Sequence, residues 1–244
     1  MESFYELSEM LSRAVTEDQI KQVCKLFCEA VGFEYSIYVV WCATSLSAPK
    51  LHCLSNYPEK WFKQYFAEGL QKHDPIVKYC FENLTPICWD QLMSMEKYLN
   101  PIGVEVMQRA AEYGLVNGFS IPLKSPCGDV AIFSLATDSN EQIEERILEV
   151  LPYGQLFGLK LHEVHTKLNN GLIDAKSYRL TERETECLFW ACEGKTTWEI
   201  SKIIEVTERT IVFHLSSAMK KLGAVNRQHA VAKAIMQGLI KPTP

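Results

Sequence analysis

Residues 180–222 read LTERETECLFWACEGKTTWEISKIIEVTERTIVFHLSSAMKKL, and they carry three helix starts in quick succession. Thr181 is followed three positions later by Glu184, and Thr196 by Glu199. A hydroxyl and a carboxylate at that spacing satisfy two orphan backbone N–H groups reciprocally, which is a capping box. Thr207 is a third N-cap candidate, because its hydroxyl accepts from an unpaired N–H of the first turn. Gly194 stands where the first helix should stop in a left-handed conformation. The reading is a helix, a turn, a short helix over 197–204, a tight turn and a longer helix over 208–222. On the last helix Ile211, Leu215, Ala218, Met219 and Leu222 form an apolar stripe at about 100° per residue. Arg209, Val212, Phe213, Ser216, Ser217 and Lys220 hold the opposite side. A short helix feeding through a tight turn into a second helix with a basic, hydroxyl-rich outer face is a helix-turn-helix.

The competing reading is an ordinary three-helix bundle with a solvated outer face. Charge separates the two. Residues 176–244 hold eleven Lys and Arg against seven Asp and Glu, a net of +4. The remainder of the chain, which totals 25 Lys+Arg and 30 Asp+Glu, is left at −9. A basic tail on an acidic body is the electrostatic footprint of a DNA reader.

These residues resemble a known family. Leu180-Thr181-x-Arg183-Glu184-x-x-x-Leu188, Glu193-Gly194-Lys195-Thr196-x-x-Glu199-Ile200 and Thr210-Ile211-x-Phe213-His214 are similar to the C-terminal DNA-binding domain of LuxR-type regulators. The resemblance implies DNA contacts from Lys195, Thr196, Arg209, Val212, Phe213, Ser216, Ser217, Lys220 and Lys221. Val212 departs from the family pattern, since related members often carry Lys, Asn or Thr there. An apolar side chain touches a thymine methyl but makes no base hydrogen bond. This part of the resemblance does not say what the first three quarters of the chain senses, because response regulators with receiver domains carry the same tail.

Working outward, 244 residues with 47% hydrophobic content suffice for one or two globular domains with their own cores. No apolar run reaches the roughly 18 residues that span a bilayer. MESFYELSEM at the start is polar and acidic, unlike a signal peptide. The nine cysteines are an odd number without C-x-x-C pairs. Cys24 and Cys28, one helical turn apart among Ile20, Val23 and Phe27, read as core thiols. The expectation is a reducing cytoplasm and no metal.

Residues 3–14 and 17–30 read as amphipathic helices. Residues 35–42 are aromatic and β-branched on both faces, a central strand covered on both sides. A second strand covers 50–55. A helix over 58–68 has Pro58 at its first position, and Asp74-Pro75 starts another. Residues 86–89 read as a short strand, and Asn100-Pro101 opens a helix that runs to Tyr113. Strands at 117–123 and 129–136 are joined by Ser125-Pro126-Cys127-Gly128, a hairpin. A long helix over 140–165 closes the domain, and polar KLNNGLIDAKSY at 167–178 reads as a linker. The hairpin and the lack of strict βα alternation argue against a parallel receiver domain. The expected fold is α+β: an N-terminal α-β-α sandwich on a five-stranded antiparallel sheet over 1–166, a linker over 167–177, and an all-α helix-turn-helix domain over 178–244.

Tyr57, Trp61 and Tyr65 recur at i, i+4 and i+8, close to Asp74. Spacing alone favours a core stripe, and Asp74 by itself is an N-cap. Three aromatics with polar handles beside a carboxylate also suit a pocket for a ligand with an apolar part and a compact polar head. The same stretch extends the resemblance. Asn56-Tyr57-Pro58-x-x-Trp61-x-x-x-Tyr65, Asp74-Pro75, Trp89 and Gly114-Leu115-x-x-Gly118-x-x-x-Pro122 are similar to the autoinducer-binding domain of LuxR-type receptors, most nearly its LasR/QscR-like branch. The resemblance implies an N-acyl-L-homoserine lactone effector. Its lactone carbonyl accepts from the Trp61 indole N–H, its amide N–H donates to Asp74, and its amide carbonyl accepts from Tyr57, with Ser134 assisting. Tyr65 and Trp89 wall the head group, and Ile37, Val39, Val77, Met107, Ala110 and Leu115 line the acyl tunnel.

No catalytic signature is present: no G-x-S-x-G elbow, Gly-rich phosphate loop or H-E-x-x-H. His162 and His165 are i, i+3 on the long helix and read as a solvated flank. The expected function is a quorum-sensing transcription factor without a cofactor, acting in the cytoplasm, off the membrane, as a homodimer on a pseudo-palindromic DNA site, with RNA polymerase as a further partner. Residues 227–238, with Ala230, Val231, Ala234 and Ile235 on one face, offer a dimerisation surface. The alternatives are a DNA-binding regulator that answers to a protein partner or a different small molecule, and, more weakly, a lactone-turnover enzyme.

Overall fold

The Ser125–Gly128 turn sets the sheet, because a four-residue loop fixes which residues of the flanking strands face each other. The computed structural model describes residues 2–43, 45, 48–125, 128–172 and 180–241. Gly128 N–H donates to Ser125 O at 3.1 Å and closes the turn, and Pro126 and Cys127 lie outside the described residues. Strand β4 (Asn117–Lys124) then pairs antiparallel with β5 (Val130–Thr137), Ser120 opposite Ser134. β5 pairs antiparallel with β1 (Tyr35–Cys42), Ser134 opposite Ile37. β2 (Lys50–Ser55) and β3 (Ile87–Cys88) form the edges, in the order β2-β1-β5-β4-β3. Every strand was foreseen. The third is shorter than expected: Trp89 turns inward and opens α5 (Trp89–Met93), and Pro86 has no N–H for the ladder.

One face of the sheet is covered by α2 (Glu17–Val31) and α7 (Ile143–Leu172). Phe27 of α2 stacks on Phe157 of α7 at 4.1 Å between centroids, and both contact Phe133 of β5. Gly154 lets α7 lie close on the sheet: a Cβ there would sit 3.2 Å from the Phe119 ring. Cys24 and Cys28 are core thiols, and burial raises both above their ordinary titration range. The other face carries α3 (Glu59–Ala67), a 3₁₀ turn at Leu70–Lys72, α4 (Pro75–Glu82), α5 and α6 (Pro101–Ala111). With α1 (Glu2–Arg13) at the start, this is the expected α-β-α sandwich.

Two expectations for α7 need correction. It continues to Leu172, so residues 167–172 of the expected linker are helical, and 173–177 lie outside the described residues. Asn169, Asn170 and Gly171 cost roughly 0.5–1 kcal/mol each in a helix, which is too little to end a long packed one. His162 and His165 are buried rather than solvated, at 7% and 2% exposure. The i, i+3 pair faces the sheet, where the buried Tyr38 hydroxyl lies 2.7 Å from His162 Nδ1.

The chain divides into two compact units, the sandwich and a helical unit that contains residues 180–241. The latter has α8 (Glu182–Cys192), α9 (Thr197–Ile203), α10 (Glu208–Lys221) and α11 (Arg227–Met236). Both capping boxes form, Thr207 caps α10, and Gly194 adopts φ 78°. No described helix is long and apolar enough to cross a membrane.

Candidate functional site

Between the sheet and the α3–α6 layer lies a cavity of about 70 Å³. Strand alternation aims Ile37, Val39 and Trp41 of β1 and Ile132 and Ser134 of β5 into it. Tyr57, Trp61, Phe62, Tyr65 and Phe66 reach it from α3 and the turn before it, and Ile76 and Val77 from α4. All twelve residues singled out from the sequence line this one cavity: Ile37, Val39, Tyr57, Trp61, Tyr65, Asp74, Val77, Trp89, Met107, Ala110, Leu115 and Ser134.

The polar groups concentrate at one end. Asp74 caps α4 as its sequence context suggested, accepting from Ile76 N–H at 2.7 Å. Its second oxygen accepts from the Tyr65 hydroxyl at 2.6 Å. Burial raises the Asp74 carboxyl above the usual range, opposed by the Tyr65 hydroxyl and the N–H groups of Ile76 and Val77. Burial, with Asp74 beside them, raises Tyr57 and Tyr65 well above theirs. Trp61 is 3% exposed, and Arg109 lies over it, 5.9 Å from the ring centroid. Among the described residues neither the Trp61 indole N–H nor the Tyr57 hydroxyl has a hydrogen-bond partner. A buried site with two unpartnered donors beside a partly satisfied carboxylate is complementary to a ligand carrying carbonyls and one N–H.

Four features escaped the sequence reading. Tyr113 stacks on Trp61 at 5.6 Å between centroids. Trp89 N–H donates to Ser120 Oγ at 2.9 Å, which lies 2.8 Å from Ser134 Oγ. Ser134 is therefore held by Ser120 across the β4–β5 ladder. Gly118 admits the Trp89 ring, since a Cβ there would lie 3.1 Å from it. The Ser120–Ser134 pair was accessible from the hairpin register; the other contacts join distant segments.

In the helical unit, Ile211, Leu215, Ala218 and Leu222 are buried with Leu188 and Ile200, as the stripe required. Glu205 takes φ 55° in the turn before α10, and Val206 N–H donates to Ser201 O at 3.0 Å. Arg209, Val212, Phe213, Ser216 and Lys220 are exposed on α10, with Thr196 exposed and Lys195 half-buried at the start of α9. Phe213 at 67% and Val212 at 54% exposure are an apolar pair on a surface that gains nothing from them in water.

Two of the nine expected DNA contacts face elsewhere. Ser217 Oγ donates to Glu184 Oε1 at 2.7 Å, and Lys221 Nζ to Glu184 Oε2 at 2.6 Å. Glu184 is 3% exposed and also closes the α8 capping box, so a buried carboxylate recruits both donors inward. Burial opposes its ionisation, but Lys221, the Thr181 N–H and Ser217 together hold its carboxyl below the usual range. This stabilisation is present at neutral pH and is lost as pH falls through the lowered folded-state value. Glu184→Gln should cost about 1 kcal/mol of local stability, because the helix start survives while the ion pair goes. Amide exchange through α8 and α10 should then speed up roughly fivefold. Unchanged protection there would mean that the network contributes nothing. On α11 the face expected to dimerise is the core face: Ala230 and Ala234 are fully buried, and only Ile235 of the four is well exposed.

Residues 16–168 match the family model "Autoinducer binding domain", and residues 178–234 match "Bacterial regulatory proteins, luxR family". The chain is 32% identical over 242 residues to the transcriptional activator protein AhyR of Aeromonas hydrophila, spanning 97% of this chain and 92% of that one. It is 34% identical over 222 residues to the transcriptional activator protein LuxR of Aliivibrio fischeri, spanning 91% and 88%. Among solved structures, Escherichia coli SdiA superposes with a TM-score of 0.83 over 98% of both chains at 24% identity, a likeness of fold. The relatives are transcriptional regulators rather than enzymes. The chain belongs to the luxR family of bacterial regulatory proteins, as a quorum-sensing transcription factor that joins an autoinducer-binding domain to a DNA-binding helix-turn-helix.

Proposed function

We propose that the autoinducer is an N-acyl-L-homoserine lactone, with its head group at Tyr57, Trp61, Tyr65, Asp74, Trp89 and Ser134. The observation that carries this is the donor and acceptor inventory: free donors on Trp61 and Tyr57, and a buried carboxylate whose two oxygens retain lone pairs. The lactone has one amide N–H for Asp74 and two carbonyls for the donors. Ile37, Val39, Val77, Met107, Ala110 and Leu115 take the acyl chain, each buried CH₂ contributing about 0.8 kcal/mol. A solved structure from Burkholderia cenocepacia, the N-acylhomoserine lactone dependent CepR2, supports this ligand class with a TM-score of 0.56 over 70% of this chain. A second reading, a different acylated small molecule, is favoured by one observation: SdiA is also known in complex with octanoyl-rac-glycerol. That molecule has a similar tail but no amide N–H for Asp74.

A thermal-shift panel of acyl-homoserine lactones and octanoyl glycerol tests the two readings. Trp61→Phe keeps a ring against Tyr113 and removes the indole donor. It should weaken the lactone response by about 0.5–1.5 kcal/mol, plus any penalty for the unpaired carbonyl. Equal sensitivity at equal protein level would remove Trp61 from the site.

The liganded chain acts in the cytoplasm as a homodimer on a pseudo-palindromic DNA site, and RNA polymerase is a partner there. Exposed Leu148, Leu156 and Leu159 on α7 support self-association of the first domain. The domains are residues 1–166 and 178–244, joined through the last turns of α7 and residues 173–177. Lys195, Thr196, Arg209, Val212, Phe213, Ser216 and Lys220 meet DNA, with Val212 and Phe213 suited to thymine methyl groups.

A further inference from the structure

On the face of the sheet turned away from the cavity, three elements converge on one point. Glu17 opens α2, His52 lies on edge strand β2, and His165 lies on α7. One ligand-capable atom from each lies within 4.8 Å of the other two. His52 Nε2 is buried and has no hydrogen-bond partner among the described residues. Such a nitrogen is uncommon in a folded protein and needs a partner. The His52 and His165 rings lie 5.8 Å apart at 71°. Tyr38 Oη lies 3.4 Å from His165 Nδ1 and 2.7 Å from His162 Nδ1, a polar outer shell of the kind that fixes a metal-ligating imidazole in orientation.

We propose that Glu17, His52 and His165 bind a divalent transition-metal ion, with zinc as the fitting occupant. Two imidazoles and a carboxylate are a donor set for a borderline-soft ion, with a water in the fourth position. Ligands at zinc distances of about 2.0–2.2 Å lie roughly 3.3–3.6 Å apart. The present spread of up to 4.8 Å closes by rotating the half-exposed Glu17 and His52 side chains. The ion ties the start of α2 and the edge strand to α7. The opposite face of that strand, through Leu51 and Cys53, packs against the cluster that lines the cavity. The site therefore braces the wall of the ligand pocket without touching it.

The test uses the full chain stripped with a chelator and titrated with Zn²⁺ by calorimetry, with thermal unfolding followed in parallel. One ion per chain, bound at micromolar affinity or better with a raised Tm, is expected. Co²⁺ in place of zinc should show d–d bands without a thiolate charge-transfer band, because none of the ligands is a cysteine. His52→Ala and Glu17→Gln should each weaken binding at least tenfold. Glu17→Gln leaves the Thr16 cap of α2 in place, so it decides the matter if His52→Ala fails to fold. Absence of stoichiometric binding, a thiolate band, or affinity unchanged in Glu17→Gln would overturn the site.

Discussion

Gly118→Ala should cost the sandwich more than about 3 kcal/mol, although it adds a single methyl group. Gly118 sits on β4 opposite Ala136, and a Cβ there would lie 2.3 Å from the backbone oxygen of Leu135. It would also lie 3.1 Å from two atoms of the Trp89 ring. A side chain rotates out of such a clash, whereas a carbonyl inside a β-ladder moves only if the ladder opens. Opening it at this point separates β4 from β5 and releases the Trp89–Ser120–Ser134 chain of hydrogen bonds at the cavity. In a domain of this size the loss corresponds to a Tm lowered by roughly 6–12 °C, and a marginal domain would fail to accumulate as soluble protein. Gly158→Ala is the control. Its Cβ would meet only side-chain atoms at 3.4–3.6 Å, an ordinary contact, and alanine is the better helix former by up to about 1 kcal/mol. Gly158→Ala should therefore match or exceed the parent. A Gly118→Ala protein melting within about 2 °C of the parent would show that the ladder accommodates the methyl group, and the steric account of Trp89 seating would be wrong.

Asp74→Asn should raise the half-maximal lactone concentration tenfold or more while leaving the unliganded chain close to the parent in stability. As an N-cap, Asn replaces Asp at little cost, because one side-chain oxygen still accepts from Ile76 N–H. As a ligand acceptor it is a poor substitute. The carboxylate accepts from Tyr65 at 2.6 Å and retains lone pairs for an amide N–H, in a charge-assisted bond roughly twice as strong as a neutral one. If the Asn oxygen keeps the cap, its NH₂ faces Tyr65 and the ligand's own N–H, with no acceptor offered by the latter. Losing about 1.4 kcal/mol of binding is tenfold in concentration. Asp74→Ala removes cap and acceptor together and should lose stability by about 1 kcal/mol as well. A reporter dose curve and an unfolding curve on the same three proteins separate the roles. If Asp74→Asn responds like the parent and only Asp74→Ala is impaired, Asp74 is a cap alone and the head-group assignment falls.

Much of this molecule was legible in one dimension because its signals are local. Capping boxes at Thr181 and Thr196, the glycine stop at 194 and the 3.6-residue stripe through Ile211 and Leu215 are properties of consecutive residues, and each appears as read. The five strands and their antiparallel pairing followed from a hairpin turn and from β-branched and aromatic runs with no helical period, whereas the order β2-β1-β5-β4-β3 is set by tertiary pairing. Most of the cavity residues were legible for a different reason: spacing alone favoured a core stripe for Tyr57, Trp61 and Tyr65, and family resemblance supplied the pocket.

What the sequence could not weigh was any term set by packing between distant segments. The i, i+3 histidines of α7 look solvated until the Tyr38 hydroxyl, 124 residues before His162, is placed against them. Ser217 lies on the polar side of α10 by periodicity and Lys221 was expected at DNA, yet Glu184, more than thirty residues earlier, draws both inward. A buried carboxylate without donors costs several kcal/mol, more than the rotamer preferences that would point those side chains outward. The Asn-Asn-Gly run at 169–171 fails to stop α7, because propensities below about 1 kcal/mol per residue yield to a packed face. Local backbone chemistry, written in the sequence, determined which elements form and in what order. Only the tertiary structure decided which polar side chains face solvent and which face each other, because burial multiplies the strength of an electrostatic contact that sequence spacing does not reveal.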